Sequence, residues 1–139
     1  MKKTVELQKL TRIVDVNFNR AKEGLRVCED VCRYAFDLKK ETRQLKDMRH
    51  ALTQAIEPLG IKGLLASRDI EGDIGRKSTV SEFKRADLND VFYANAQRIK
   101  ESMRVLEEII KLINPRSAQG LKELRYQFYA LEKRMAVQS

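Results

Sequence analysis

The sequence has no tryptophan, one histidine, two cysteines, two prolines and six glycines in 139 residues, and only four Tyr and five Phe. Each scarcity closes off a class of protein. Two cysteines cannot build a disulfide scaffold. Cys28 and Cys32 stand four apart with no histidine beside them, so they read as reduced core thiols and not as a zinc site. The low glycine and proline content excludes collagen-like and mucin-like chains. No apolar run approaches the ~20 residues that a membrane helix needs, and no charged-then-apolar leader precedes a small-residue cleavage site. The expectation is a soluble cytoplasmic protein, neither spanning a membrane nor exported. Few aromatics, no basic tail and no known binding motif argue against nucleic acid as the partner.

Charge is plentiful. Lys and Arg number 28 against 20 Asp and Glu, a formal charge of +8, and 35% of the residues are charged. Acids and bases are interleaved, as between Lys39 and Lys46, so no block of one sign forms. An excess of cations distributed in this way suits phosphorylated metabolites as well as solubility. Hydrophobic residues make up 42% of the chain and recur with helical period, which implies solvated helices around one modest core, a single domain over residues 1–139.

The periodicity predicts four helices. From Val5 to about Phe36 there is no proline, and Ile13, Ala21, Leu25, Cys28, Val31, Cys32 and Ala35 return at helical spacing, with a break expected near Thr11. Leu45, Met48, Leu52 and Ile56 mark a second helix, closed by Pro58 and Gly60. Leu88 to Ile113 gives a third. Asn114-Pro115 ends it, and Leu121, Leu124, Phe128, Leu131 and Met135 form the stripe of a fourth. Between the pairs, residues 60–87 hold four glycines and many charges.

The two pairs resemble each other. In register, Asn17, Arg20, Lys22, Glu23, Arg26, Val27 and Glu29 match Asn95, Arg98, Lys100, Glu101, Arg104, Val105 and Glu107. Leu45-Lys46-Asp47-Met48-Arg49 then matches Leu121-Lys122-Glu123-Leu124-Arg125. The implied fold is all-α: a pseudo-two-fold four-helix bundle from a duplicated helical hairpin, with a Gly/Asp-rich central loop. Repeat 1 covers about 12–57, the loop about 60–87, and repeat 2 about 88–135.

Polar residues stand within the arcs that should be apolar. At 100° per residue, Asn17 and Arg20 fall with Gly24 and Cys28, and Asn95 and Arg98 take the equivalent places. Arg49 and Arg125 lie within the stripes of the second and fourth helices. An unpaired buried guanidinium costs several kcal/mol, so these groups need carboxylates or an anionic ligand. Glu23 and Glu101 are the expected partners, while Arg26, Arg104, Glu29 and Glu107 are expected on the outer arcs in solvent-facing ion pairs. Gly24 and Ser102, small at matching positions, would leave room for a ligand. A buried network that fixes the bundle's register is the competing reading. Four converging arginines favour phosphate, which planar guanidinium binds in two-pronged fashion.

The middle segment Ser67-Arg68-Asp69-Ile70-Glu71-Gly72-Asp73-Ile74-Gly75 sets carboxylates at alternate positions among glycines, a pattern able to hold Mg²⁺ and to offer N–H groups to phosphate. It is not an EF-hand, because Val80 stands where the terminal Glu belongs. Walker, dinucleotide and protein-kinase motifs are absent from the sequence. His50 alone does not make a phosphotransfer site, and Ser67, Ser78 and Thr79 have no histidine base beside them.

Together, the run from Asn17 to Asp30, Leu45-Lys46-x-x-Arg49-His50, the Ser67-Arg68-Asp69-x-Glu71-Gly72-Asp73-x-Gly75 segment and the run from Asn95 to Glu108 resemble the small helical hydroxymethylpyrimidine phosphate kinase family, over about Arg12 to Arg134. That family occurs alone or fused ahead of thiamine phosphate synthase, and the resemblance implies a stand-alone kinase here. Cys28 and Ser102 depart from an expected aliphatic residue and an expected alanine, without touching the charged positions. The resemblance implies transfer of the ATP γ-phosphoryl group to 4-amino-5-hydroxymethyl-2-methylpyrimidine phosphate, with Mg²⁺, so that ATP and a phosphorylated pyrimidine are the small-molecule partners. From the residues, Arg20, Arg49, Arg98 and Arg125 are assigned to phosphates and Asn17 and Asn95 to orienting substrate, with Glu23 and Glu101 beside them. Asp69, Glu71 and Asp73 are assigned to Mg²⁺, and Arg68 and Asp69 to the catalytic step. A helical mutase acting on a dianionic metabolite, and a non-catalytic basic module for RNA or protein, are the alternatives. Spare amphipathic faces allow a homo-oligomer.

Overall fold

A computed structural model describes residues 2–60, 68–74 and 85–138. Ser67, Gly75, Ser78 and Thr79 lie outside the described residues, as does most of the central segment. Among the described residues the fold is all-α, with α1 at Lys2–Asp30, α2 at Lys39–Ile56, α3 at Leu88–Ile110 and α4 at Pro115–Gln138. None of these helices is long and apolar enough to cross a membrane.

The expected break near Thr11 is not there. The Thr11 hydroxyl donates to the Leu7 carbonyl at 2.7 Å, which satisfies it inside a continuous helix. α1 instead loosens at its far end into a π-helical turn, Val31–Ala35, in which the Phe36 N–H reaches the Val31 carbonyl at 3.0 Å. Asp37 then adopts a left-handed φ of 53°, a conformation Asp tolerates better than most residues, and the chain reverses into α2. Pro58 and Gly60, with φ of 83°, end α2 as expected.

Capping fixes both ends of the second pair. The Asp87 carboxylate accepts the Asp90 N–H at 2.8 Å, and the Asp90 carboxylate accepts the Ala86 N–H at 3.1 Å. α3 stops at Ile110, short of the expected Ile113, because residues 111–113 turn and the Asn114 N–H returns to the Ile110 carbonyl at 2.7 Å. Asn114 then caps α4 by accepting the Ser117 N–H at 3.3 Å, and Pro115 occupies a first position where no donor is needed.

α1 packs on α2 and on α3, and α4 packs on the same two helices. The order around the core is therefore α1, α2, α4, α3, and every helix is covered on two flanks. Leu25, Leu52, Phe92, Ile99, Leu121 and Phe128 are fully enclosed. At the α1–α3 seam a methyl group on Gly24 would stand 2.8 Å from Ile99 Cγ1 and 3.2 Å from the Asn95 carbonyl oxygen. Gly24 thus serves close helix approach and leaves no room for a ligand, contrary to the expectation from its size. Ser102 is buried at the same level, its hydroxyl donating to the Arg98 carbonyl at 2.5 Å. Cys28 and Cys32 are free and buried, as expected of core thiols.

Candidate functional site

Coverage on two flanks widens the buried arc of each helix by roughly one residue position, and acids at that margin become buried anchors. Asp15, one residue after the fully buried Val14, is 5% exposed. Such a carboxylate needs a partner. It receives two, as Arg68 Nε and Nη2 donate to Asp15 Oδ2 and Oδ1, both at 2.9 Å, in a bidentate fork. Asn19 Nδ2 donates to the Asp15 carbonyl at 2.9 Å and to its carboxylate at 3.2 Å. The hydrogen bonding from Asp15, and then its charge, push the Arg68 pKa upward, so this guanidinium stays cationic.

The fork holds segment 68–74 against α1, and a cleft of about 550 Å³ opens between them. Asp69 is fixed by accepting the Gly72 N–H at 2.7 Å, and its other oxygen lies 3.7 Å from Arg12 Nη2. A side chain at Gly72 would strike that carboxylate. Lys9, Arg12, Arg20 and Arg68 face the cleft from the cationic side, and Asp15, Glu23, Asp69 and Asp73 from the anionic side. Ile13, Val16 and Ile70 supply apolar wall. A lining balanced in sign suits a phosphate that arrives with a divalent cation better than a bare anion. Among the described residues no group of three or more His, Cys, Asp or Glu gathers to hold a metal. Mg²⁺ needs only one or two carboxylates when phosphates and waters complete its shell, and the carboxylates of segment 68–74 that line the cleft are Asp69 and Asp73.

Arg20, Glu23, Arg68, Asp69 and Asp73, singled out from the sequence, therefore meet at one cleft. Glu71 is exposed on the same segment and does not line it. The remaining candidates lie elsewhere. Asn17 is buried and donates to the Ile13 carbonyl at 2.9 Å, Asn95 donates to the Val91 carbonyl at 2.8 Å, and neither lines the cleft. Arg98 and Glu101 are exposed, with Glu101 accepting from Gln97 at 2.9 Å. Arg20 is exposed as well. The expected convergence of four arginines on the bundle interior does not occur, because a long side chain at the arc's edge carries its charged head outward.

Arg49 and Arg125 do turn inward, but toward acids that the periodicity had placed outside. Arg49 Nε donates to Glu29 Oε1 at 3.0 Å. Arg125 donates through Nε to Glu107 Oε2 and through Nη2 to Glu107 Oε1, the latter at 3.2 Å. Glu29 is 3% exposed and Glu107 2%. Each follows a fully buried residue, Cys28 or Leu106, by one position, as Asp15 follows Val14. Bonding to Glu107 raises the Arg125 pKa despite the burial that opposes it. Sequence reasoning also missed Arg12, Asp15 and Asn19. Their spacing of three and four residues places them on one side of α1, which was the signal available in the sequence.

Fold and cleft together define a small all-α protein that sets arginines and carboxylates face to face across one cleft. The chain belongs to the ThiD2 family, whose match spans residues 12–134. That membership supports a kinase or phosphotransferase classification. The chain is 42% identical over 124 residues to a thiamine-phosphate synthase of Synechocystis, covering 88% of this chain and 35% of that protein. Synthases of Nostoc punctiforme and Rhodopirellula baltica are each 39% identical, over 92% and 94% of this chain and 36% of each relative. The chain thus spans about a third of the length of these curated relatives. No solved structure matches it.

Proposed function

We propose that the chain transfers the γ-phosphoryl group of ATP to the phosphate of 4-amino-5-hydroxymethyl-2-methylpyrimidine phosphate, giving the diphosphate used in thiamine biosynthesis. A phosphate oxygen of the pyrimidine ester attacks the γ-phosphorus, the bond to the β–γ bridging oxygen breaks, and ADP departs. No protein nucleophile is required, so the work of the side chains is positioning and charge neutralisation. Lys9, Arg12 and Arg20 hold phosphates, Arg68 stabilises the group in transfer, and Ile13 and Val16 offer a surface for the pyrimidine ring. Asp69 and Asp73 would hold Mg²⁺, which would offset the negative charge of the phosphates.

The observation that carries this reading is the Asp15–Arg68 fork, which sets Asp69 and Asp73 opposite Arg12 and Arg20 across one cleft. Purified protein with ATP and Mg²⁺ is to be offered the pyrimidine alcohol and its monophosphate side by side. ADP and diphosphate from the monophosphate alone support the proposal. Correctly folded Arg68→Ala and Asp69→Ala variants with unchanged turnover would discard this cleft as the site.

We also infer that the two hairpins descend from one duplicated unit. Three matched interactions support it: Glu29–Arg49 with Glu107–Arg125, Arg26 bridging Glu29 and Asp30 with Arg104 bridging Glu107 and Glu108, and Asn17 and Asn95 each donating four residues back. In this reading Arg49 keeps the register of the bundle, and the catalytic parts belong to α1 and the central segment.

A further inference from the structure

A second cleft, of about 430 Å³, lies between the C-terminal part of α3 and the N-terminal half of α4. Arg104, Lys111, Lys122 and Arg125 stand in its walls, against one carboxylate, Glu107. That carboxylate is already engaged, buried and bonded twice by Arg125. Glu108, outside the walls, takes Arg104 at 2.8 Å and Lys111 at 3.2 Å. Lys122 is exposed and makes no ion pair with any described residue. The walls therefore carry more positive charge than the protein itself neutralises, in contrast to the balanced cleft beside α1.

Arg125 is also held rigidly. Its Nη1 donates to the Tyr129 hydroxyl at 3.2 Å, and its guanidinium carbon lies 5.1 Å from the centroid of the Tyr126 ring. With Nε and one Nη2 proton on Glu107, the guanidinium keeps further N–H donors for a ligand, and its orientation costs little to fix on binding. Tyr126, 56% exposed, gives the cleft an aromatic wall.

We propose that this α3–α4 cleft binds a multiply charged phosphoanion without a metal, the polyphosphate chain of a free inorganic polyphosphate or of a nucleotide. Its volume lies within the range of small-molecule sites. The site does not depend on the reaction proposed above, because none of its residues lines the α1 cleft.

Calorimetric titration of the full chain in EDTA, with inorganic tripolyphosphate and separately with ADP, tests it. The expected result is saturable binding that Lys122→Glu weakens about tenfold or more through like-charge repulsion, while Lys46→Glu, an exposed charge reversal on α2 that lines neither cleft, leaves it unchanged. Lys122→Gln, a milder change at an exposed position, weakens it less and guards against misfolding of the first variant. Equal binding of the two probes assigns the contact to the phosphate chain, and tighter ADP binding adds the base against Tyr126; either supports the site. Absence of saturable binding by both probes overturns the proposal. So does binding that is indifferent to Lys122→Glu or abolished by Lys46→Glu.

Discussion

Replacing Glu107 by leucine isolates what a buried ion pair does in this bundle. Glu107 is 2% exposed, whereas the Arg125 side chain keeps 12% of its surface at the edge of the α3–α4 cleft. The substitution leaves a guanidinium with the neutral Tyr129 hydroxyl as its hydrogen-bond partner and the Tyr126 and Tyr129 rings beside it, but no counter-charge among the described residues. Loss of one member of a buried pair costs about 3–5 kcal/mol, and because water reaches Arg125 from the cleft the lower end, about 3 kcal/mol, applies. For a chain of this length that is a fall in Tm of about 10 °C. Arg125→Met alone should cost more, since it strands the better-buried charge. The double variant Glu107→Leu/Arg125→Met removes both charges and should recover more than half of the single-variant loss. Urea unfolding followed by helical circular dichroism measures all three. A loss below about 1 kcal/mol for Glu107→Leu, or a double variant no better than the singles, would refute the view that the pair is desolvated and mutually dependent.

Gly24→Ala should destabilise by about 1–2 kcal/mol by overpacking against Ile99 and the Asn95 carbonyl, reversing the gain that alanine normally brings to a helix; thermal melts check this. Burial, and then the nearby Glu41, push the Cys32 thiol up from 9.0 to about 11, and burial raises Cys28 further. The folded state thus retains thiol protons that the unfolded chain releases. The resulting contribution is complete below about pH 9 and is lost as pH rises through about 11, so a Cys28→Ala/Cys32→Ala protein should show a flatter stability profile between those values. Asp15→Asn keeps the shape of the Arg68 contact but removes its charge, and turnover should fall about tenfold or more with helicity unchanged, as steady-state kinetics would show. Asp69→Asn should raise the Mg²⁺ concentration needed for half-maximal turnover, measured by metal titration at saturating ATP.

The four helices were legible because each returns apolar residues at helical spacing, and strong stops stand after α2, at Pro58 and Gly60, and between α3 and α4, at Asn114-Pro115. The alternation of acids and glycine from Arg68 to Asp73 marked a charged segment in the sequence, of which Arg68, Asp69 and Asp73 line the cleft and Glu71 does not. The partners of the arginines were not. A single 100° wheel treats a helix as having one buried side, whereas α1 and α3 each pack on two neighbours, and this draws in Asp15, Glu29 and Glu107 from the wheel's margin. At the opposite margin Arg20 and Arg98 escape, since a flexible stem of several bonds lets the head reach water while the stem stays packed. The Asp15–Arg68 contact spans 53 residues, beyond any local pattern.

The circuit of interfaces, in which each helix of one hairpin meets a helix of the other, has a consequence for how the chain can be divided. The apolar side of either hairpin is sealed by its counterpart, so a break in the backbone between Gly60 and Arg85 would separate no buried partners along α1–α3 or α2–α4. Two co-expressed fragments should reassemble spontaneously, while each alone would expose its sticky side and precipitate.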